Sequence, residues 1–316
     1  MARASRSPLL SFYRTLRTQS SGSMVGLLAL HTNDKREAPV SMKTKIKYLI
    51  PLVLFLSQFA WPQVETGSVI FADFEQDEIT IAADSRKNIP ENGSHDDSEC
   101  KISAFGKKFV FSLAGTIERS GHWNARSVAR KTWESESKVA SKTPLLDRVV
   151  AGWIKAMWKF YGEPDTISNI KKHMTGDPVV ATAIFAALDK SDTLRMKAVN
   201  IDFDPRLFDT ENKVKLIDDV SEIPANSHVS MGHDEIAEEF YAGASSRAKD
   251  YMTRYVSQIA GLPLHQRRAE LFSKLIELSV SLHPNKDQLA LPVDVLQIRK
   301  GTGVYWAKVK PNCPER

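Results

Sequence analysis

The order of β-rich and helical segments is the feature that most constrains the fold of this chain. Two pairs of β-rich segments come first, at residues 68–84 and 101–115, and an amphipathic helix follows with apolar side chains at spacings of three and four across residues 145–158. The pattern then predicts a strand pair, further helices and a last hairpin at residues 179–203, 248–280 and 293–309. Because strands and helices come in blocks and do not alternate one by one, an α+β layered domain is favoured over a doubly wound sheet.

Turn and helix signals divide the remaining segments. Pro144 begins the amphipathic helix, and the tripeptide Gly261-Leu262-Pro263 divides residues 248–280 into two helices. Polar residues with Pro and Gly predict a loop at residues 87–99. Two further helices are predicted at residues 122–134 and 234–242.

The positive charge of the chain is concentrated at its beginning. The formal net charge is +5, but residues 1–67 hold nine basic and three acidic residues, so the rest of the chain has a net charge of −1. A nearly neutral body with 42% hydrophobic residues can bury a core, and it lacks the basic surface expected of a nucleic-acid partner. The composition therefore excludes wholesale disorder and gives no nucleic-acid signature.

Residues 42–60 have the order of a secretory signal. They read MKTKIKYLIPLVLFLSQFA, in which three lysines precede an apolar run too short to be a stable membrane span. We therefore expect export to the periplasm or out of the cell, although a buried apolar segment is the alternative. Residues 1–41 precede this signal and are either a transit-like extension or the result of a mis-called start at Met42.

Few residues of the body form a recognisable chemical motif. The run His95–Glu99 lacks metal-ligand spacing, and two cysteines cannot build a metal cluster, so neither a metal site nor a cofactor is predicted. Whether Cys100 and Cys313 pair with each other or remain thiols is left open. Asp84 ends one predicted strand and Lys101 begins another, which is explained by a salt bridge between strand ends or by a functional pair.

At these positions the chain resembles the proteasome β-subunit-like family of N-terminal-nucleophile hydrolases. Family catalytic subunits begin at a threonine freed by cleavage after a glycine, and here Gly67 is followed by Ser68. The family's catalytic aspartate lies sixteen residues further on, as Asp84 does in AADSR. Lys101 matches the family's lysine with one residue inserted, and Gly115 in SLAGT matches its oxyanion glycine. The similarity continues through residues 182–202 and 230–240 and covers nearly the whole body.

The resemblance implies a fold and a set of roles. The fold would be a four-layer αββα sandwich of two antiparallel sheets flanked by helices. Residues 61–67 would be a short propeptide and residues 68–316 the hydrolase-like domain. Ser68 would supply both the hydroxyl nucleophile and the α-amine base, Lys101 a positive charge held by Asp84, and Gly115 an oxyanion donor. Supporting positions would be Arg86, Ser230, His233 and Asp287.

Two functions follow as hypotheses. The first is an exported hydrolase of peptide or amide bonds that frees Ser68 by self-cleavage after Gly67. The second is a noncatalytic scaffold or binding protein of the same fold, because serine replaces the family's threonine and the family's second aspartate, followed by Ser-Gly-Gly, has only Asp287 as its counterpart. The family forms rings, so a homo-oligomer is consistent with either hypothesis.

Overall fold

The computed structural model describes residues 68–89, 94–115, 118–119, 123–173, 179–203, 216–232, 246–283, 288–311 and 313. The described strands are β1 (Val69–Phe74), β2 (Glu78–Ala83), β3 (Lys87–Ile89), β4 (Ser94–Asp96), β5 (Ile102–Phe105), β6 (Phe109–Gly115), β7 (Glu118–Arg119), β8 (Trp123–Asn124), β9 (Val179–Leu188), β10 (Leu194–Phe203), β11 (Leu216–Ile223), β12 (Ser227–Gly232), β13 (Asp294–Arg299) and β14 (Gly303–Lys308). The described helices are α1 (Ala125–Glu136), α2 (Leu145–Tyr161), α3 (Pro164–His173), α4 (Ser246–Ile259) and α5 (Leu264–Leu282).

Two five-stranded sheets form the centre of the domain. The first sheet has the strand order β12-β1-β2-β13-β14 and the second has the order β11-β10-β9-β6-β5. Every neighbouring pair is antiparallel. Two short ribbons, β3-β4 and β7-β8, lie outside these sheets. The predicted strand pairs at residues 68–84, 101–115, 179–203 and 293–309 are all confirmed.

Each sheet has one face covered by helices. On the second sheet, Trp153 of α2 contacts Phe111 of β6 and Phe185 of β9, with ring centroids 5.7 and 5.3 Å apart. On the first sheet, Phe71 of β1 packs in one cluster with Phe272 of α5. These aromatic side chains are fully or almost fully buried, so their burial anchors the helices to the sheets.

The other faces of the two sheets face each other. Side chains alternate along a strand, so Ile70 of β1 and Ile184 of β9 point away from the helices, and both are completely buried. Strands β1 and β6, and β13 and β9, are neighbours across this interface. The layers are therefore helix, sheet, sheet and helix, which confirms the predicted α+β sandwich.

The helix predictions agree with the structure apart from details of extent. Helix α2 follows Pro144 and buries the apolar stripe, and α4 and α5 are divided at residues 260–263. The helix predicted at 122–134 begins three residues later, because Trp123 and Asn124 pair with β7 and the Asn124 side chain caps α1 by accepting from the Ser127 N–H.

Seven described elements were not predicted. The polar segment 87–99 contains the ribbon β3-β4, and the ribbon β7-β8, α3, β11 and β12 have no counterpart in the prediction. Strand β11 lies at a sheet edge and exposes Asp218, Asp219 and Val220, so it lacks the alternation of a half-buried strand. The helix predicted at 234–242 lies outside the described residues, as do residues 1–67. Among the described residues, no helix is long and apolar enough to cross a membrane.

Candidate active site

Asp84 lies at the edge of the first sheet where β2 ends and β1 begins. It follows β2 directly, and antiparallel pairing brings it beside Val69 at the start of β1. Its Oδ1 accepts a hydrogen bond from the Val69 N–H at 2.9 Å, and its Oδ2 accepts from the backbone N–H groups of Arg86 at 3.0 Å and Ala290 at 3.4 Å. The carboxylate is completely buried, so these donors and one cation hold it in a single orientation.

Lys101 supplies that cation. Its Nζ lies 2.6 Å from Oδ1 of Asp84, and both side chains are almost completely buried. Burial lowers the pKa of the Lys101 ammonium from its ordinary value, whereas the charge of Asp84 acts in the opposite direction. The backbone of Lys101 is fixed as well, because its carbonyl oxygen accepts from the Ser112 hydroxyl of β6 at 3.0 Å.

Ser68 precedes Val69 directly, and it is buried. The end of β12 passes close to it: a Cβ added to Gly232 would lie 1.8 Å from the Ser68 carbonyl oxygen, and the φ of Gly232 is +78°. Only glycine allows this approach. The structure therefore brings Ser68, Asp84 and Lys101 to one end of the sandwich, since Val69 connects the serine to the ion pair.

Gly115 ends β6, the strand that lies across from β1 in the sandwich. Its φ is +97°, and an added Cβ would lie 2.6 Å from the Val180 carbonyl oxygen and 2.9 Å from the Ala181 Cα. A side chain is excluded here by both the backbone conformation and the neighbouring strand. Its assignment as the oxyanion donor stays a prediction.

The proposed supporting residues lie in different places. The Arg86 guanidinium binds both carboxylate oxygens of Asp97, at 2.6 and 2.7 Å, so it braces the loop after β4. Ser230 lies opposite Phe71 in the β12-β1 register. Phe71 is three residues after Ser68, so Ser230 is displaced from Ser68 by about 10 Å along the strand. Gly67, His233 and Asp287 lie outside the described residues.

A small cleft lies beside Lys101. It is lined by Glu99, Lys101, Phe111, Leu113, Asn124 and Arg126. Arg126 of α1 binds the Glu99 carboxylate and the Cys100 carbonyl oxygen, so the lining of the cleft combines a paired charge with apolar side chains from β6. Sequence reasoning did not find Arg126, because nothing local marks an arginine on a helix as a neighbour of residue 99.

Cys100 and Cys313 form a disulfide, which the sequence left open. The bond joins the residue before Lys101 to the C-terminal segment, 213 residues further along the chain. Among the described residues, no cluster of His, Cys, Asp and Glu side chains could hold a metal ion.

Fold and geometry thus define an αββα sandwich with a buried aspartate–lysine pair next to a serine at the start of its first strand. No protein-family model matches the chain, and no curated protein is significantly similar to it. Among solved structures, the chain is similar to an Anbu Gly-1 mutant from Hyphomicrobium sp. strain MC1, with 13% identity, a TM-score of 0.48, and coverage of 78% of this chain and 89% of that chain.

Proposed function

We propose that this protein is an exported amide or peptide-bond hydrolase whose nucleophile is the hydroxyl of Ser68, freed as the N-terminal residue by self-cleavage of the Gly67–Ser68 bond. The buried pair of Asp84 and Lys101 is the observation that carries the proposal. A buried ion pair alone is common in structural roles. In this pair, Oδ1 of Asp84 accepts hydrogen bonds from both the Lys101 ammonium and the N–H of Val69, the residue that follows the serine.

Self-cleavage would need only the serine, its preceding glycine and water. The Ser68 Oγ attacks the Gly67 carbonyl carbon, the C–N bond breaks, and the hydroxyl proton passes to the departing nitrogen. Water then hydrolyses the resulting ester, which leaves a carboxylate on Gly67 and both a hydroxyl and an α-amine on Ser68.

The freed α-amine would then serve as the general base. An α-amine has a pKa near 8, so near neutral pH enough of it is unprotonated to accept the Ser68 hydroxyl proton. The Oγ attacks the substrate carbonyl, the amine part of the substrate leaves with that proton, and water hydrolyses the acyl-enzyme. The positive charge of Lys101 favours the ionised serine, and the Gly115 N–H would donate to the oxyanion.

Two features support export. The signal-like residues 42–60 precede the domain, and the Cys100–Cys313 disulfide is of a kind that persists in oxidising compartments. Cytosolic thiols are kept reduced, so a disulfide beside the active-site lysine is more consistent with the periplasm or the extracellular space.

The test is hydrolysis of short fluorogenic peptide amides by the purified, processed protein and by two variants. We expect Ser68→Ala to abolish hydrolysis and Ser68→Thr to retain it, because threonine keeps the hydroxyl and the α-amine. Each variant is compared with wild type by circular dichroism and thermal unfolding. A Ser68→Ala variant that hydrolyses these amides as fast as wild type would refute the proposal. Wild-type protein without activity on any amide would favour the noncatalytic scaffold.

A further inference from the structure

We propose that Lys310 is a positioning residue of the candidate active site, because its ammonium joins the two backbone segments that carry Asp84 and Lys101. The inference rests on the proposed function for the meaning of that pair. Lys310 lies after the last strand of the sheet and more than 200 residues from either residue, and the family resemblance gives it no role.

The three N–H donors of Lys310 have three acceptors. The Nζ lies 2.8 Å from Oδ2 of Asp294, 2.7 Å from the Glu99 carbonyl oxygen and 3.2 Å from the Asp84 carbonyl oxygen. The Lys310 side chain is 2% exposed and that of Asp294 is completely buried. Burying a lysine ammonium is costly unless each of its N–H groups has an acceptor. Because moving any of the three acceptors away would leave an N–H group unsatisfied, Lys310 holds them in one geometry.

The two carbonyl groups belong to the segments that must be held in register. One is the carbonyl of Asp84 itself, and the other is the carbonyl of Glu99, two residues before Lys101. A backbone hydrogen bond, from the Glu99 N–H to the Ser85 carbonyl oxygen at 3.2 Å, joins the same segments nearby. The 2.6 Å contact between Asp84 and Lys101 therefore depends on a spacing that Lys310 helps to fix.

The disulfide keeps Lys310 in place. Cys100 lies between Glu99 and Lys101, and its partner Cys313 donates its N–H to the Lys310 carbonyl oxygen at 3.2 Å. The Lys310 N–H in turn donates to Oδ1 of Asp294 at 2.9 Å. The C-terminal segment is thus tied covalently to the segment that its ammonium binds.

The positive charge of Lys310 also acts on Lys101. It lowers the pKa of the Lys101 ammonium, as burial does, whereas Asp84 and Glu99 raise it. Arg126 lines the same cleft as Lys101. Removing Lys310 should therefore raise the pKa of Lys101 and loosen its contact with Asp84 at the same time.

The experiment replaces the buried pair as a unit, with Asp294→Asn and Lys310→Met combined. Asparagine keeps an oxygen for the Lys310 N–H, and removing both charges avoids an unpaired buried carboxylate. We expect a fall in kcat of tenfold or more, a KM within about twofold of wild type, and an alkaline limb of the pH–rate profile that moves to higher pH. Lys308→Met is the matched control, because Lys308 binds Glu270 and Ser273 on α5.

A second measurement does not need activity. In a Ser68→Ala background, nitrogen-edited NMR of lysine ammonium groups follows the exchange of the Lys101 N–H protons with water and the titration of Lys101. We expect the double substitution to accelerate this exchange and to raise the titration midpoint, and Lys308→Met to change neither. If wild-type protein hydrolyses no amide, the proposed function fails while this measurement still judges Lys310.

Unchanged kcat, alkaline limb and ammonium exchange in the double variant would overturn the proposal and leave the pair of Lys310 and Asp294 with a purely structural role. If the double variant does not fold, Lys310→Arg replaces it, because arginine keeps the positive charge beside Asp294 but cannot place its longer, planar guanidinium on the same carbonyl oxygens. We expect this variant to lower kcat and to accelerate the exchange of the Lys101 N–H protons. Wild-type values of both would overturn the positioning role.

Discussion

Replacing Asp84 with asparagine should destabilise the domain far more than removing the whole ion pair. Four donors converge on this carboxylate: the Lys101 ammonium at 2.6 Å and the N–H groups of Val69, Arg86 and Ala290 at 2.9 to 3.4 Å. Asparagine offers one oxygen, so its NH₂ group must face some of these donors. The buried lysine also loses its counter-charge.

The magnitude follows from these contacts. Breaking a buried ion pair by removing one partner costs about 3–5 kcal/mol, whereas replacing both partners by uncharged groups is often close to neutral. Each buried N–H left without an acceptor costs about 1–3 kcal/mol. We therefore expect Asp84→Asn to lose about 3–5 kcal/mol of unfolding free energy, a large part of the 5–15 kcal/mol typical of a domain.

A double-mutant cycle measures this directly. Urea unfolding followed by circular dichroism is compared for wild type, Asp84→Asn, Lys101→Met and the combined variant. The combined variant should lose less unfolding free energy than the two single variants together, by about 2 kcal/mol or more. Additive losses, or a loss below about 1 kcal/mol for Asp84→Asn, would show that the two side chains do not form a buried, coupled pair.

Three further predictions concern other parts of the domain. Gly115→Ala should lose about 1–3 kcal/mol in urea unfolding, because its φ is +97° and an added Cβ meets a carbonyl oxygen of β9 at 2.6 Å, whereas Gly261→Ala, with no atom within 4 Å of its added Cβ, should be neutral or slightly stabilising. Burial, with nearby carboxylates, raises the pKa of Asp73 from 3.8 to about 6. The native state therefore binds more protons than the unfolded state between these pH values, and stability falls as pH rises through them. Asp73→Asn should exceed wild type in free energy of unfolding by up to about 3 kcal/mol at pH 7 to 8, and an equally large gain at pH 4 would contradict this. Replacing Cys100 and Cys313 by serine opens a loop of 213 residues and should lower the free energy of unfolding by up to about 5 kcal/mol. Reductant should likewise lower the thermal unfolding midpoint of wild type, and a midpoint that reductant leaves unchanged would show that the cysteines are not paired.

The elements that the sequence predicts are those whose signal is local. The apolar runs of β9 and β10 and the stripe of α2 each lie within a short window, so their pattern reports their burial directly. Strands β11 and β12 carry no such signal. Strand β12 follows a turn at Asn226, with a φ of +62°, and is held at the sheet edge by the register of β1, which is a tertiary interaction.

The candidate site divides in the same way. Asp84 and Lys101 end and begin local strands, so both could be singled out from the sequence, and their 2.6 Å contact agrees with the predicted pair. Lys310 could not be found, because its contacts with residues 84 and 99 join positions that are far apart in the chain, and Asp294 was not found because its role depends on that lysine. The disulfide was undecided for the same reason: spacing along a chain does not report the distance between two cysteines in space.

The intact mass of the purified protein tests the central claim most directly. Wild-type protein expressed with its own signal should have the mass of a chain that begins at Ser68, and Ser68→Ala should keep the residues before the cleavage site, because it lacks the hydroxyl that attacks Gly67. The account would be contradicted if wild-type protein kept residues upstream of Ser68 and differed in mass from Ser68→Ala only by the substituted side chain. In that case the α-amine base would never form.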